Sequence, residues 1–176
     1  MAVTPAGTPY VESSDNVADY PGVSLSLANH IDGLDGGKVL QVVHATVTTS
    51  TSTTSTSYVN TVLAATITPS TTSNKIMIIY SAGVSSSGAS AGVNTTIFRG
   101  SVAGINLATN SNAAFTYSQS PNAYINSTHA ATFLDSPATV AAQLYTVAMK
   151  VVSGGSAVFG ASGQGQCSVI LMEVAA

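Results

Sequence analysis

The hydrophobic pattern changes its period once along the chain. From Lys38 onward it takes on the two-residue alternation of strands that bury one face. The segments that carry it are 38–47 (KVLQVVHATV), 57–67 (SYVNTVLAATI), 75–84 (KIMIIYSAGV), 93–99 (VNTTIFR), 102–107, 122–133 (NAYINSTHAATF), 142–152 (AQLYTVAMKVV), 156–160 and 167–174 (CSVILMEV). Turn-forming stretches separate them, among them 69–74, 85–92 and 160–165. Eight or nine short strands with turn signals predict an all-β fold, a jelly-roll-like β-sandwich. Residues 48–57 (TTSTSTTSTS) hold no apolar position that could set a register, so they read as an exposed loop or a two-sided-polar edge strand.

Before Lys38 the pattern is different. Residues 1–18 carry turn formers and little periodicity, and read as extended. Pro21 then stands where a first helical residue belongs, with Asp19 or Tyr20 near the cap. Val23, Leu27, Ile31 and Leu34 follow at helical spacing, and Gly33 is a stop signal. The spacing predicts a helix near 21–32, too short to be stable alone in water. It must dock on its own body, on a sister chain or on another protein. Five of the seven acids lie in residues 12–35 and none occurs from Gly36 to Leu134. The chain is therefore read as an N-terminal docking arm, 1–36, and a β-sandwich body, 37–176.

Composition narrows the function. The chain has 176 residues, enough for one domain or one domain plus an arm. Only 6% of residues are charged, against about 25% in ordinary soluble domains. Four basic residues cannot build a phosphate-neutralising surface, so no nucleic-acid partner is expected. The apolar runs are too short for a spanning helix, so no membrane insertion is expected, and no basic-then-apolar start reads as a secretory signal. In place of charges stand 25 Ser, 22 Thr and 10 Asn. With 45% hydrophobic residues and a net charge of −3, this is a packed β-protein with a neutral exterior, not a disordered chain. So neutral a surface suits a permanent assembly better than a free monomer.

Candidate chemistry is sparse. Gly88-Ala89-Ser90-Ala91-Gly92 matches the G-x-S-x-G nucleophile elbow, but that motif needs a strand before it, a helix after it and a histidine after the acid. Strand-like residues follow instead, and no histidine follows Asp135, so a hairpin loop is the stronger reading. His30, His44 and His129 lack any metal-ligand spacing. The latter two read as strand residues, although in a threefold assembly one histidine per chain could meet its copies at the axis. Asp32-Gly33-Leu34-Asp35-Gly36 lacks the alternating acids and closing glutamate of a calcium loop. Asp135 and Glu173 are the body's only acids, poor support for paired-carboxylate chemistry. Asn94-Thr95-Thr96 and Asn126-Ser127-Thr128 are glycosylation sequons, expected to be unmodified. Cys167 reads as a small buried hydrophobe. Tyr117 and Tyr124 flank a polar loop with Gln119 and Asn122, a possible glycan-stacking surface; tyrosines capping strand ends are the stronger reading. No catalytic residue, metal or cofactor is expected.

Two groups of motifs carry a family resemblance. Gly7-Thr8-Pro9-Tyr10-Val11-Glu12 and Tyr20-Pro21-Gly22-Val23-Ser24-Leu25-Ser26-Leu27-Ala28-Asn29-His30-Ile31-Asp32 resemble the virion-proximal leader of bacteriophage minor tail and tail-fibre proteins. Gly37-Lys38-Val39-Leu40-Gln41-Val42-Val43, the Ser/Thr run, Ala65 to Ile76, Leu134-Asp135-Ser136-Pro137 and Ser168 to Val174 resemble the body of phage appendage proteins. The resemblance implies a non-enzymatic virion structural protein, a homotrimer assembled in the host cytoplasm. It would be a short tail-associated fibre or spike, docked on tail or capsid proteins through Tyr10, Tyr20, Leu25, Leu27 and Ile31. Loops such as 85–92 and 108–122 would face the host surface and its glycans. No repetitive shaft is present, unlike in long tail fibres. A capsid-decorating cement or head-fibre protein, or a freestanding lectin-like module, are the alternatives.

Overall fold

In the computed structural model the described residues are 2–3, 9–10, 20–32, 37–88, 91–108, 112–120, 123–160 and 166–176. The chain divides into two compact units, residues 1–38 with 175–176, and residues 39–174.

The first unit pairs β1 (Ala2–Val3) antiparallel with β2 (Pro9–Tyr10) and contains the only helix among the described residues, α1 (Tyr20–Asp32). Pro21 falls in the first turn, where its missing N–H costs no helical bond. Leu25 is 63% exposed and Leu27 is 37% exposed. The side chains of Val23 and Ile31, and all of Leu34, lie outside the described residues. At the other end of this unit Gly37 N donates to Ala175 O at 3.0 Å, and Ala175 N donates to Lys38 O at 2.9 Å.

The second unit is the sandwich. Its strands are β3 (Val39–Val47), β4 (Thr51–Thr53), β5 (Val59–Ile67), β6 (Lys75–Gly88), β7 (Gly92–Arg99), β8 (Ile105–Asn106), β9 (Ala114–Tyr117), β10 (Ala123–Asp135), β11 (Gln143–Val151), β12 (Ser156–Phe159) and β13 (Cys167–Val174). One sheet runs β3-β13-β6-β10, with β12 and β4 continuing the β13 side of β6 at its far end. The other runs β5-β11-β7, and β8 and β9 share the last edge of β7. With β8 and β9 counted as one interrupted strand, and β4 and β12 set aside, the sheets hold strands first-eighth-third-sixth and second-seventh-fourth-fifth. Nearly every connection crosses between sheets. That winding is a jelly roll, the fold predicted from the strand pattern.

The core lies between the sheets. Leu63, Ile67, Ile78, Tyr80, Val93, Ile97, Tyr145, Val147, Met149, Phe159, Val169 and Leu171 are buried there. Strand alternation explains the set, since β13 reads buried and half-buried in strict turn along its whole length. One strand, β9, escaped the sequence reading; in the Ser/Thr run the edge-strand alternative holds at β4, which pairs with β12. β6 also runs four residues past its expected end at Val84, through Ser85, Ser86 and Ser87 to Gly88. There it crosses glycine against glycine. A Cβ on Gly155, whose φ is +106°, would overlap the Ser87 carbonyl oxygen and press on Gly88. Gly155→Ala is therefore expected to destabilise the body by at least about 2 kcal/mol, read as a lower urea midpoint.

Strand directions define two ends. The strand termini Val39, Val174, Lys75, Asp135, Ile67 and Arg99 gather at one, together with the 68–74, 100–104 and 136–142 connections. The strand termini Val47, Val59, Gly88, Gly92, Tyr117, Ala123 and Val151 gather at the other.

Candidate functional surfaces

Three buried polar groupings and one at the surface stand out; of the buried side-chain polar atoms among the described residues, Asn94 Oδ1 has no hydrogen-bond partner. At the end where β3 begins, Glu173 is 1% exposed. Its carboxylate accepts from Gln41 Nε2 at 2.6 Å, Asn74 Nδ2 at 2.6 Å, Ser70 N at 2.6 Å and Ser70 Oγ at 2.7 Å. Burial alone would raise its pKa. The donors outweigh burial and bring it down to about 2. The group ties β3, β13 and the 68–74 loop together, so its role is structural.

At the same end Asp135 Oδ2 accepts from Tyr145 OH at 2.7 Å and lies 3.5 Å from Arg99 Nε. Burial, and then the adjoining carboxylate, push the Tyr145 phenol far above its usual value. Asp135 stands opposite Ile76 on β6, whereas Ala123 stands opposite Gly88. Twelve residues of strand, roughly 40 Å, therefore separate this carboxylate from the end of β6 that leads into the G-x-S-x-G segment. That segment joins strand to strand, with no helix after it; Ala89 and Ser90 lie outside the described residues. The helix that a nucleophile elbow requires after its serine is replaced by β7.

Mid-core, His129 is 2% exposed and bridges the sheets. Its Nδ1 lies 2.9 Å from Thr95 Oγ1, its Nε2 lies 2.8 Å from Thr116 Oγ1, and Tyr80 OH lies 3.0 Å from the same Thr95 oxygen. Burial pushes His129 down to about 4 and Tyr80 up to about 12, the Thr95 bond opposing the latter shift. Both ring nitrogens are thus engaged by threonines of the same chain. His44 is exposed on β3, and the side chain of His30 lies outside the described residues.

On the outer face of the β5-β11-β7 sheet, Asn112 Oδ1 accepts from Tyr58 OH at 2.6 Å and from Asn94 Nδ2 at 3.0 Å, and the Lys150 ammonium sits 4.7 Å over the Tyr58 ring. Asn94 is 5% exposed, which closes its sequon to a glycosyl donor; Asn126 is exposed on β10. Cys167 is fully buried, and burial raises its thiol pKa. Among the described residues no group of three or more His, Cys, Asp or Glu side chains could hold a metal ion. Nor is any helix there long and apolar enough to cross a membrane.

The residues singled out for glycan contact do not converge. Thr116 on β9 and His129 on β10 both point into the sandwich, so alternation sends Tyr117 and Tyr124 out through opposite sheets. Tyr117 packs over Gly92 and lies near-parallel to Phe115, ring centroids 6.0 Å apart at 18°. Phe115, missed from sequence, was legible only as the residue two positions before Tyr117. Gln119 is exposed, and Asn122 lies outside the described residues. Of the docking residues, Leu25 and Leu27 are exposed on α1, while the side chains of Tyr10, Tyr20 and Ile31 lie outside the described residues. The expected 85–92 loop is largely strand, and 108–122 contains β9.

What the surface does offer is neutral and apolar. Across the outer face of the four-stranded sheet, Val42, Met172, Met77 and Leu134 stand opposite one another in one row. Val42 and Leu134 are 58% and 57% exposed, and the methionines are half-buried. The adjoining row is His44, Ile170, Ile79 and Thr132. Neither row holds a carboxylate, ammonium or guanidinium group.

Fold and surface together define an all-β jelly-roll protein whose buried polar groups serve the structure. No family model matches the chain, and no curated protein matches it. Solved structures that it resembles include a chain of infectious bursal disease virus Gx strain, at 11% identity and TM-score 0.32, covering 79% of this chain and 39% of that one. Another is the infectious bursal disease virus VP2 subviral particle, at 10% identity and TM-score 0.31, covering 77% of this chain and 37% of the other. The chain thus spans well under half the length of either.

Proposed function

We propose that this chain is a non-enzymatic structural protein of a virus particle, attached by its N-terminal arm and displaying its jelly roll. The observation that carries this reading is the uncharged apolar row Val42–Met172–Met77–Leu134 crossing an outer sheet face. Such a face favours neighbours over water, in a chain with only eleven charged side chains, four basic and seven acidic. The leader-like and body motifs supply the further step to a phage appendage, a short tail-associated fibre or spike. The segments 54–58, 118–120 and 152–155, at the end of the sandwich away from Val39, are then among those offered to a host surface. Capsid decoration is the second reading and differs in copy number, many tens per particle against a few.

Deleting residues 1–35 tests the attachment. The shortened chain should still fold, with a near-unchanged thermal midpoint, and should no longer enter particles. Normal incorporation would refute the arm's role. Quantitative mass spectrometry of purified particles reads the copy number, and absence of the chain from particles would refute the assignment.

A further inference from the structure

We infer that a second copy of this chain pairs with the free edge of β10, antiparallel about a two-fold axis at His129, joining two four-stranded sheets into one of eight strands. The inference rests on the jelly roll and not on the virion assignment.

β10 is hydrogen-bonded to β6 over all thirteen of its residues, with no register shift. Among the described residues it has no other strand partner. The other edges are shorter or irregular: β8 and β9 have two and four residues, β4 has three, and the ladders of β3 and β5 each contain a shift. Natural sheets guard a long edge with lysine, proline, a bulge or brevity. From Ala123 to Leu134 the strand contains no charged residue and no proline. Its one acid, Asp135, is terminal and held by Tyr145 and Arg99.

The edge fits itself. About His129, residue i meets residue 258 − i, which preserves which face each side chain occupies. On the outer face Tyr124 then meets Leu134 of the copy, Asn126 meets Thr132, and Thr128 meets Ala130. Tyr124 and Leu134, 69% and 57% exposed, are the large apolar residues that β10 leaves in water. This register covers each with the other, an aromatic–aliphatic cross-strand pair of the stabilising kind. The Val42–Met172–Met77–Leu134 row ends at Leu134, so the copy's Tyr124 lengthens it. On the inner face Phe133 meets Ile125 of the copy. An open cleft of about 310 Å³, lined by Leu107, Ala113, Ala131 and Phe133 among others, lies there beside the edge. The copy's Ile125 is the side chain placed to fill it.

Sedimentation equilibrium of the full chain at tens of micromolar should give twice the chain mass. Tyr124→Cys/Leu134→Cys should cross-link into dimers with a short bis-maleimide. Neither single variant should, because each thiol then faces a tyrosine or a leucine. Tyr124→Lys/Leu134→Lys sets ammonium groups opposite one another twice, and should give monomers with unchanged far-UV circular dichroism. A monomeric wild type, a trimer, a dimer indifferent to the lysine pair, or equal cross-linking by the single cysteines would overturn the inference. Failure here leaves the particle experiments untouched, and a dimer never found in particles would sink only the virion reading.

Discussion

Acidification from pH 7 should weaken the sandwich well before Glu173 titrates. The unfolded chain takes up a proton on His129 near pH 6.5, whereas the folded chain resists until about 4. The neutral ring between Thr95 and Thr116 is the form that the core accepts. Stability is therefore complete above pH 6.5, falls through the interval and levels off below about 4. A shift of this size corresponds to about 3 kcal/mol. Urea unfolding at a series of pH values reads it directly. His129→Asn keeps a polar group facing the threonines and removes the titration. It should start less stable at pH 7 and then stay level between pH 6.5 and 5. A wild type with no slope in that window, or a variant with the same slope, would show that the ring does not set the acid response.

The second large effect belongs to Glu173. Glu173→Ala removes the acceptor of four donors in one step and leaves Gln41, Ser70 and Asn74 facing an empty position. The expected loss is about 3 kcal/mol, or a thermal midpoint lower by roughly 10 °C. The carboxylate's own pH dependence lies lower than that of His129. Its folded pKa, about 2, is below the ordinary value of 4.5. Its contribution is thus whole above pH 4.5 and is lost as the pH falls through 2. A midpoint within a degree or two of wild type would mean that water replaces the carboxylate at no cost.

The contrast between these residues shows what sequence can convey. Alternation located β3, β5, β10 and β13, where apolar residues mark the inner face, and the apolar content of β7 and β11 marked strands that are buried largely on both faces. It failed where hydroxyls do the packing. Ser85 and Ser86 are 4% and 3% exposed, buried by small size rather than hydrophobicity, so β6 seemed to stop at Val84. β4, made of Thr and Ser alone, fits the edge-strand alternative, but no apolar residue marked its bounds or register. β9 has four residues among turn formers, too few for a period. The polar groupings were invisible for another reason. Glu173 meets Gln41 and Asn74 across 132 and 99 residues, and no local spacing encodes such a meeting. The stronger reading of Tyr117 and Tyr124, tyrosines at strand ends, agrees with their places at the end of β9 and near the start of β10, which belong to different sheets.

The place of β3 has a mechanical consequence. It is the outermost strand of its sheet, and the arm leads directly into it at Val39, beside Val174 of β13. A pull between the arm and the far loops acts along the strand axes, at right angles to the β3–β13 bonds. All the rungs then share the load and must give way together. A pull between the two neighbouring termini would instead part them one by one, as a zip opens. A particle appendage tugged from its tip and held by its root would be loaded in the stronger direction.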